Sequence, residues 1–88
     1  MTLNQLRFLS VDDLVILKFL SASPLLTVTS IAEKMHLSQP AVSQRIRKME
    51  GALGEKLIER SGRGIKLTIF GMAQAFRATE ALNILDGT

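Results

Sequence analysis

Cysteine is absent from this chain, which rules out a disulfide framework, a thiolate nucleophile and a cysteine-based zinc site, and fits a reducing compartment. The only histidine, His36, has no second imidazole with which to complete a metal site, and it reads as a turn residue. No apolar run approaches the roughly 18 residues that a membrane span requires. The first ten residues also lack a basic flank followed by an apolar signal core, so a cytoplasmic protein with no membrane partner is expected. Paired carboxylates occur only at Asp12-Asp13, no glycine-rich phosphate loop follows a strand pattern, and no ligand cluster is visible. An enzyme is therefore not expected, and neither is a catalytic residue, a metal or a cofactor. Internal repeats and low-complexity linkers are missing too.

What is present is enough for one small domain: 88 residues, of which 47% are hydrophobic, can bury a modest core. The net charge of +3 is unevenly placed. From Lys34 to Lys66 there are eight basic residues against three acidic ones, a local +5, whereas the remainder of the chain is −2. Such asymmetry suggests a basic face for a polyanion.

Ser10, followed by Val11, Asp12 and Asp13, has the form of a helix N-terminus, with a capping hydroxyl and two carboxylates where the helix dipole favours them. Leu14, Leu17, Phe19 and Leu20 supply apolar surface, and Pro24 predicts an end near Ser21 to Ser23. A short second helix is expected from Ser30 to Met35, capped by Thr29, with Ile31, Ala32 and Met35 turned inward. His36, Leu37 and Ser38 then connect to a third helix over 39–53. Helix, tight turn, helix is the supersecondary signature of a DNA reader.

The third helix is the most informative segment. Val42, Ile46, Met49 and Leu53 fall on one stripe of the 3.6-residue wheel, the pattern of a core-facing helix. Pro40, Ser43, Gln44, Arg47 and Lys48 point the other way, an outer side of hydroxyl, amide and basic groups suited to a DNA groove. Ser38 supplies the cap, Pro40 sits in the first turn where a missing donor is harmless, and Gly54 can end the helix in the left-handed conformation. Two segments, 57–60 and 65–68, joined by Ser61-Gly62-Arg63-Gly64, predict a hairpin, and a hairpin after a helix-turn-helix is a wing. Thr68 then caps a last helix from Ile69 to about Leu85. Its stripe of Met72, Ala75, Thr79 and Leu82, widened by Ile69, Ala73, Phe76 and Leu85, is broader than one small core needs. Surplus apolar surface of this kind predicts a homodimer through that helix, the alternative being that the helix folds back on its own domain.

The order and spacing of these residues resemble the N-terminal DNA-binding domain of LysR-type transcriptional regulators. The resemblance rests on Ser38-Gln39-Pro40-Ala41-Val42-Ser43, the basic stretch Arg45 to Lys48, Met49-Glu50, Leu53-Gly54, Leu57-Ile58-Glu59-Arg60, Gly62-Arg63-Gly64, Leu67-Thr68 and Gly71. It covers the chain from about Ser10 to Leu85. It implies a mainly α fold with a small β-hairpin: a winged helix-turn-helix over 1–68, with 1–9 as an N-terminal extension, followed by a linker and dimerisation helix over 69–88. It further implies double-stranded DNA as partner, with Ser38, Gln39, Pro40, Ser43 and Gln44 at or near base edges in the major groove. Arg45, Arg47 and Lys48 would approach phosphates, and the wing over 57–68 would reach the flanking backbone or minor groove through Arg60, Arg63 and Lys66. Two copies joined through the last helix, by Ile69, Met72, Ala75, Phe76, Thr79, Leu82 and Leu85, would read an inverted repeat.

Departures from the family pattern are visible. Ile58 stands where the family usually has Phe, and Gln44 stands where Arg is frequent; Gln suits the N6/N7 edge of adenine, whereas Arg suits guanine. The larger effector-binding domain of the family is absent from this chain, so a small-molecule inducer is not expected to bind here. Two other readings of the same pattern remain. A winged helix used only for protein contacts would lack basic residues on both the outer face of the third helix and the wing. A MarR-type DNA binder would dimerise at both chain ends rather than mainly through the last helix.

Overall fold

Ser10 opens the first helix of the described residues by sharing hydrogen bonds with a carboxylate of its first turn. In the computed structural model, which describes residues 9–22, 28–62 and 64–85 apart from the Leu85 side chain, α1 spans Val11–Ala22. The Asp13 N–H donates to Ser10 Oγ at 3.2 Å, and the Ser10 N–H donates to Asp13 Oδ2 at 3.0 Å. This is a reciprocal capping box with Asp where Glu is more usual. The expected N-terminal extension lies outside the described residues except for Leu9, which packs on the core.

The second helix, α2, spans Val28–Met35 and so starts earlier than the expected Ser30; Thr29 lies inside its first turn rather than capping it. The cause is tertiary: Val28 packs against the core, and that contact favours an added partial turn that local sequence does not announce. At its other end the Leu37 N–H donates to Ala32 O at 2.9 Å and the His36 N–H to Glu33 O at 3.3 Å, the two bonds of a Schellman ending. His36 takes the left-handed position with φ of 55°.

α3 spans Gln39–Leu53, the predicted bounds. Ser38 is extended and its Oγ accepts from the Ala41 N–H at 3.2 Å, while Gly54, at φ 82°, donates its N–H to Glu50 O at 2.8 Å. The hairpin follows as β1, Ile58–Ser61, and β2, Gly64–Leu67, antiparallel with Ile58 opposite Leu67 and Ser61 opposite Gly64. It is tighter than the four-residue connection expected from sequence. Ser61 and Gly64 pair as ladder ends, leaving a two-residue turn whose first residue, Gly62, has the positive φ of 58° that primed hairpin turns demand.

Thr68 separates β2 from α4, Ile69–Leu85. The expected broad stripe of α4 divides in two. Gly71, Ala75, Ala78 and Leu82, at helical spacing, face inward along α1, so Ala75 and Leu82 belong to this chain's own core. Ile69, Met72, Phe76 and Ile84 are exposed. The inner face is fixed by Gly71, where an added Cβ would overlap the Leu57 carbonyl oxygen and come within 3.0 Å of Leu67 Cδ2. Only a glycine allows α4 to lie this close to the entry of the hairpin.

One hydrophobic cluster joins the four helices found among the described residues. Ile16 and Leu17 of α1, Ile31 of α2, and Val42, Ile46 and Met49 of α3 are essentially sealed from water, as is Leu57 ahead of β1. Around it, β2 touches both α1 and α4, so the hairpin is braced at its base rather than free. The mainly α fold with a two-stranded hairpin is thus observed.

Candidate nucleic-acid interface

A helix anchored through one stripe must present the opposite stripe, and α3 is anchored through residues that are among the most deeply buried in the chain. Gln39, Pro40, Gln44, Arg47 and Lys48 are accordingly exposed on its outer side, together with Ser38 at the cap. Ser43 is half-buried on the flank that faces the hairpin. A groove of about 340 Å³ runs between that flank and β1, lined by Ser43, Arg47, Glu50, Lys56, Glu59 and Arg60 among others. Arg47 and Arg60 therefore border one groove from two elements. Among the described residues, Arg47, Lys48 and Arg60 make no ion pair, so their charge is available to an anionic partner.

Two other basic residues are engaged within the chain. Lys66 Nζ lies 3.5 Å from Glu59 Oε1 across the hairpin, directly opposite in register, with both side chains about half exposed. Such an exposed pair contributes little stability and is easily exchanged for a phosphate. Arg45 is held more firmly. Its guanidinium reaches α1, donating to Ser10 Oγ at 3.2 Å and standing 3.6 Å from both Asp12 Oδ2 and Asp13 Oδ1. Arg63 lies outside the described residues, as does the Leu85 side chain.

Glu50, part of the family pattern but given no role there, has a structural one. Its Oε2 accepts from the Leu57 N–H at 2.8 Å, its Oε1 faces Lys56 Nζ at 3.8 Å, and its backbone oxygen receives the Gly54 N–H. One residue thus ties together the turn that carries the chain from α3 into the hairpin, and it lines the groove that Arg47 and Arg60 border. Nothing in the local sequence distinguishes Glu50 from a solvated helix charge; the signal is a contact seven residues away. Thr68 acts likewise at the far side of the hairpin. It accepts from the Gly71 N–H at 2.9 Å as the expected cap, and in addition donates its hydroxyl to Lys56 O at 2.7 Å and its N–H to Leu57 O at 3.0 Å.

A second surface lies away from this groove. Ile69, Met72 and Phe76 of α4, with Leu20 and Leu67, line an apolar recess of about 730 Å³. Ile69 is 85% and Phe76 67% exposed, values far above what the core of so small a domain tolerates for residues it uses. Thr79, which also lines the recess, donates its hydroxyl to Ala75 O at 3.0 Å. Among the described residues no group of three potential metal ligands is found, and no helix is long and apolar enough to cross a membrane.

Known proteins with the same arrangement are found by sequence and by shape. The model of the family described as bacterial regulatory helix-turn-helix protein, lysR family, matches residues 19–72. The HTH-type transcriptional regulator PcaQ of Agrobacterium fabrum is 49% identical over 45 residues, which is 51% of this chain and 14% of PcaQ. An uncharacterized HTH-type transcriptional regulator in the ibpB-leuC intergenic region of Azotobacter vinelandii is 37% identical over 70 residues, covering 80% of this chain and 49% of that protein. The chain thus spans less than two thirds of the length of either relative. In shape it is similar to the crystallised complex of the CbnR DNA-binding domain with DNA, with a TM-score of 0.78 at 28% identity, covering 89% of this chain and 87% of that one.

Proposed function

Because the chain belongs to the lysR family of bacterial regulatory helix-turn-helix proteins, we propose that it is the sequence-specific DNA-binding portion of a transcriptional regulator. In this reading α3 enters the major groove and the hairpin serves as the wing. The observation that carries it is the outer stripe of α3, where Pro40, Gln44, Arg47 and Lys48 stand exposed on a helix whose opposite stripe is sealed, with Arg60 across the adjoining groove. Gln44 and Gln39 present amides that can pair bidentately with an adenine edge, while Arg47, Lys48 and Arg60 supply phosphate contacts. Arg63 and Lys66 add to the wing, Lys66 by exchanging Glu59 for a phosphate. Binding of the related CbnR domain to DNA supports the same use of this fold.

The apolar recess on α4 supports a second copy as partner, docking through Ile69, Met72 and Phe76, and two copies related by a twofold axis would read an inverted repeat. Residues 1–68 are then the reading unit, and 69–88 the segment that joins the copies. An effector-binding domain and its small-molecule inducer belong to whatever longer protein carries such a portion, and no catalytic role is assigned.

The experiment is selection of retained duplexes from a randomised pool at two salt concentrations. Recovery of an inverted-repeat motif, with affinity falling steeply as salt rises, supports the proposal. Arg47→Ala should weaken retention across all sequences and reduce the salt slope by about 0.9, whereas Gln44→Ala should relax preference at one base pair. Retention that is blind to sequence and indifferent to salt would overturn the reading in favour of a protein-contact module.

A further inference from the structure

Arg45 stands one residue from Gln44 and two from Arg47, in the stretch that the proposed function places against DNA, yet its side chain is turned onto α1. Three contacts converge on it: a hydrogen bond to Ser10 Oγ at 3.2 Å and ion pairs at 3.6 Å with Asp12 and Asp13. The Ser10 hydroxyl oxygen already accepts the Asp13 N–H that caps α1, so the cap of one helix and the guanidinium of another meet at one atom. A hydroxyl oxygen has two acceptor sites, and both are used. The Asp13 side chain is 8% exposed and that of Arg45 35%, while Asp12, at 56%, stands at the rim. The cleft lined by Ser10, Asp13 and Arg45 also contains Gln44 and Lys48, which places the Asp13 carboxylate beside the outer stripe of α3, while Asp12 meets the same guanidinium from the more exposed side.

Unneutralised carboxylates at that rim would repel a phosphate backbone approaching Gln44 and Lys48. We propose that Arg45 is an internal counter-ion and positioning residue: it registers α3 against the N-terminus of α1 and cancels Asp12 and Asp13, and it is not a phosphate ligand. The inference rests on the DNA-binding reading for its second half, whereas the helix-to-helix tie stands on the contacts alone. It assigns the phosphate contacts of α3 to Arg47 and Lys48, and it gives Asp12 and Asp13 a use beyond capping.

Two measurements on the full chain test it. The first is a stability cycle of Arg45→Gln, Asp12→Asn with Asp13→Asn, and all three together, each melted under the same conditions. Asn at position 13 still offers an oxygen to the Ser10 N–H, so the cap survives. Arg45→Gln should lower the melting temperature by about 2–5 °C in the parent and have no such effect once the carboxylates are neutral. Equal losses in both backgrounds would overturn the tie.

The second is the salt dependence of binding to a duplex of mixed sequence. Arg47→Gln should reduce the slope by about 0.9 and Arg45→Gln should leave it unchanged. Neutralising Asp12 and Asp13 should raise it by up to about 0.9, because Arg45 is then free to take a phosphate. A drop of about 0.9 for Arg45→Gln in the parent would make Arg45 a phosphate ligand and overturn the assignment. A parent chain that retains no duplex at low salt would instead sink the DNA-binding reading, and the stability cycle would still decide the tie.

Discussion

Gly71→Ala and Gly51→Ala are the same chemical change in two helices of one chain, and the structure gives them opposite signs. In an open helical position the change is favourable by about 0.5–1 kcal/mol, because glycine loses more backbone entropy on folding than alanine. Gly51 is such a position: nothing lies within 4 Å of where its Cβ would stand. At Gly71 the same methyl overlaps the Leu57 carbonyl oxygen and crowds Leu67 Cδ2 at 3.0 Å. That carbonyl cannot simply withdraw, since it accepts the Thr68 N–H at 3.0 Å and belongs to a residue sealed in the core. Relief requires α4 to move off the hairpin entry. The overpacking term is about 1–3 kcal/mol, and loss of the Thr68 bond adds about 1 kcal/mol. Set against the propensity gain, the net is a destabilisation of about 1–3 kcal/mol, or roughly 5–20 °C in melting temperature for a domain of this size. Thermal and urea melts followed by far-ultraviolet circular dichroism read it directly. Gly51→Ala should melt higher than the parent, by about 3–8 °C. If Gly71→Ala rises alongside Gly51→Ala, the close approach of α4 to Leu57 is wrong, and with it the account of which face of α4 is inward.

His36→Gly should stabilise the chain by about 0.5–1 kcal/mol, since a left-handed φ of 55° strains any side chain but costs glycine nothing; a lower melting temperature would show that the imidazole makes a contact worth more than the strain. Thr68→Val removes the cap of α4 and the bond to Lys56 O together and should cost about 1.5–3 kcal/mol in a denaturant titration. Thr68→Ser keeps the oxygen and should stay within about 0.5 kcal/mol of the parent. Phe76→Glu should shift sedimentation equilibrium from dimer to monomer, with the far-ultraviolet circular dichroism of the folded chain retained because the ring is 67% exposed and with any fall in melting temperature vanishing at concentrations where the parent is itself a monomer. A parent chain that sediments as a monomer at every concentration would refute the role given to the recess.

Much of this architecture is legible in the amino-acid sequence. α3 was legible to the residue because three independent local signals agree there: Ser38 as cap, Gly54 as stop and the Val42, Ile46, Met49, Leu53 stripe. The start of α2 was not, because Val28 is recruited by a core that local sequence does not contain. Which side of α4 faces inward was not legible for a related reason. Hydrophobicity favours Met72 over Gly71, but packing distance selects the smallest residues, Gly71, Ala75 and Ala78, for the side nearest α1 and Leu57. At the candidate interface the residue types could be named from the helix wheel, while their engagement could not. Arg45 and Arg47 look alike in sequence, and only the position of α1, 35 residues upstream at Ser10, separates a tied guanidinium from a free one. Glu50 was hidden in the same way by a partner beyond the end of its own helix.

Thr68 is the entire joint between the hairpin and α4. It is bonded to Lys56 and Leu57 on one side and to Gly71 and Met72 on the other. A joint of one residue with its donors and acceptors committed in both directions has no slack, so the hairpin and the start of the last helix are held in one fixed relation. Whatever covers the exposed side of α4 therefore stands at a fixed position relative to the hairpin, because a single residue with no free donor or acceptor separates the two.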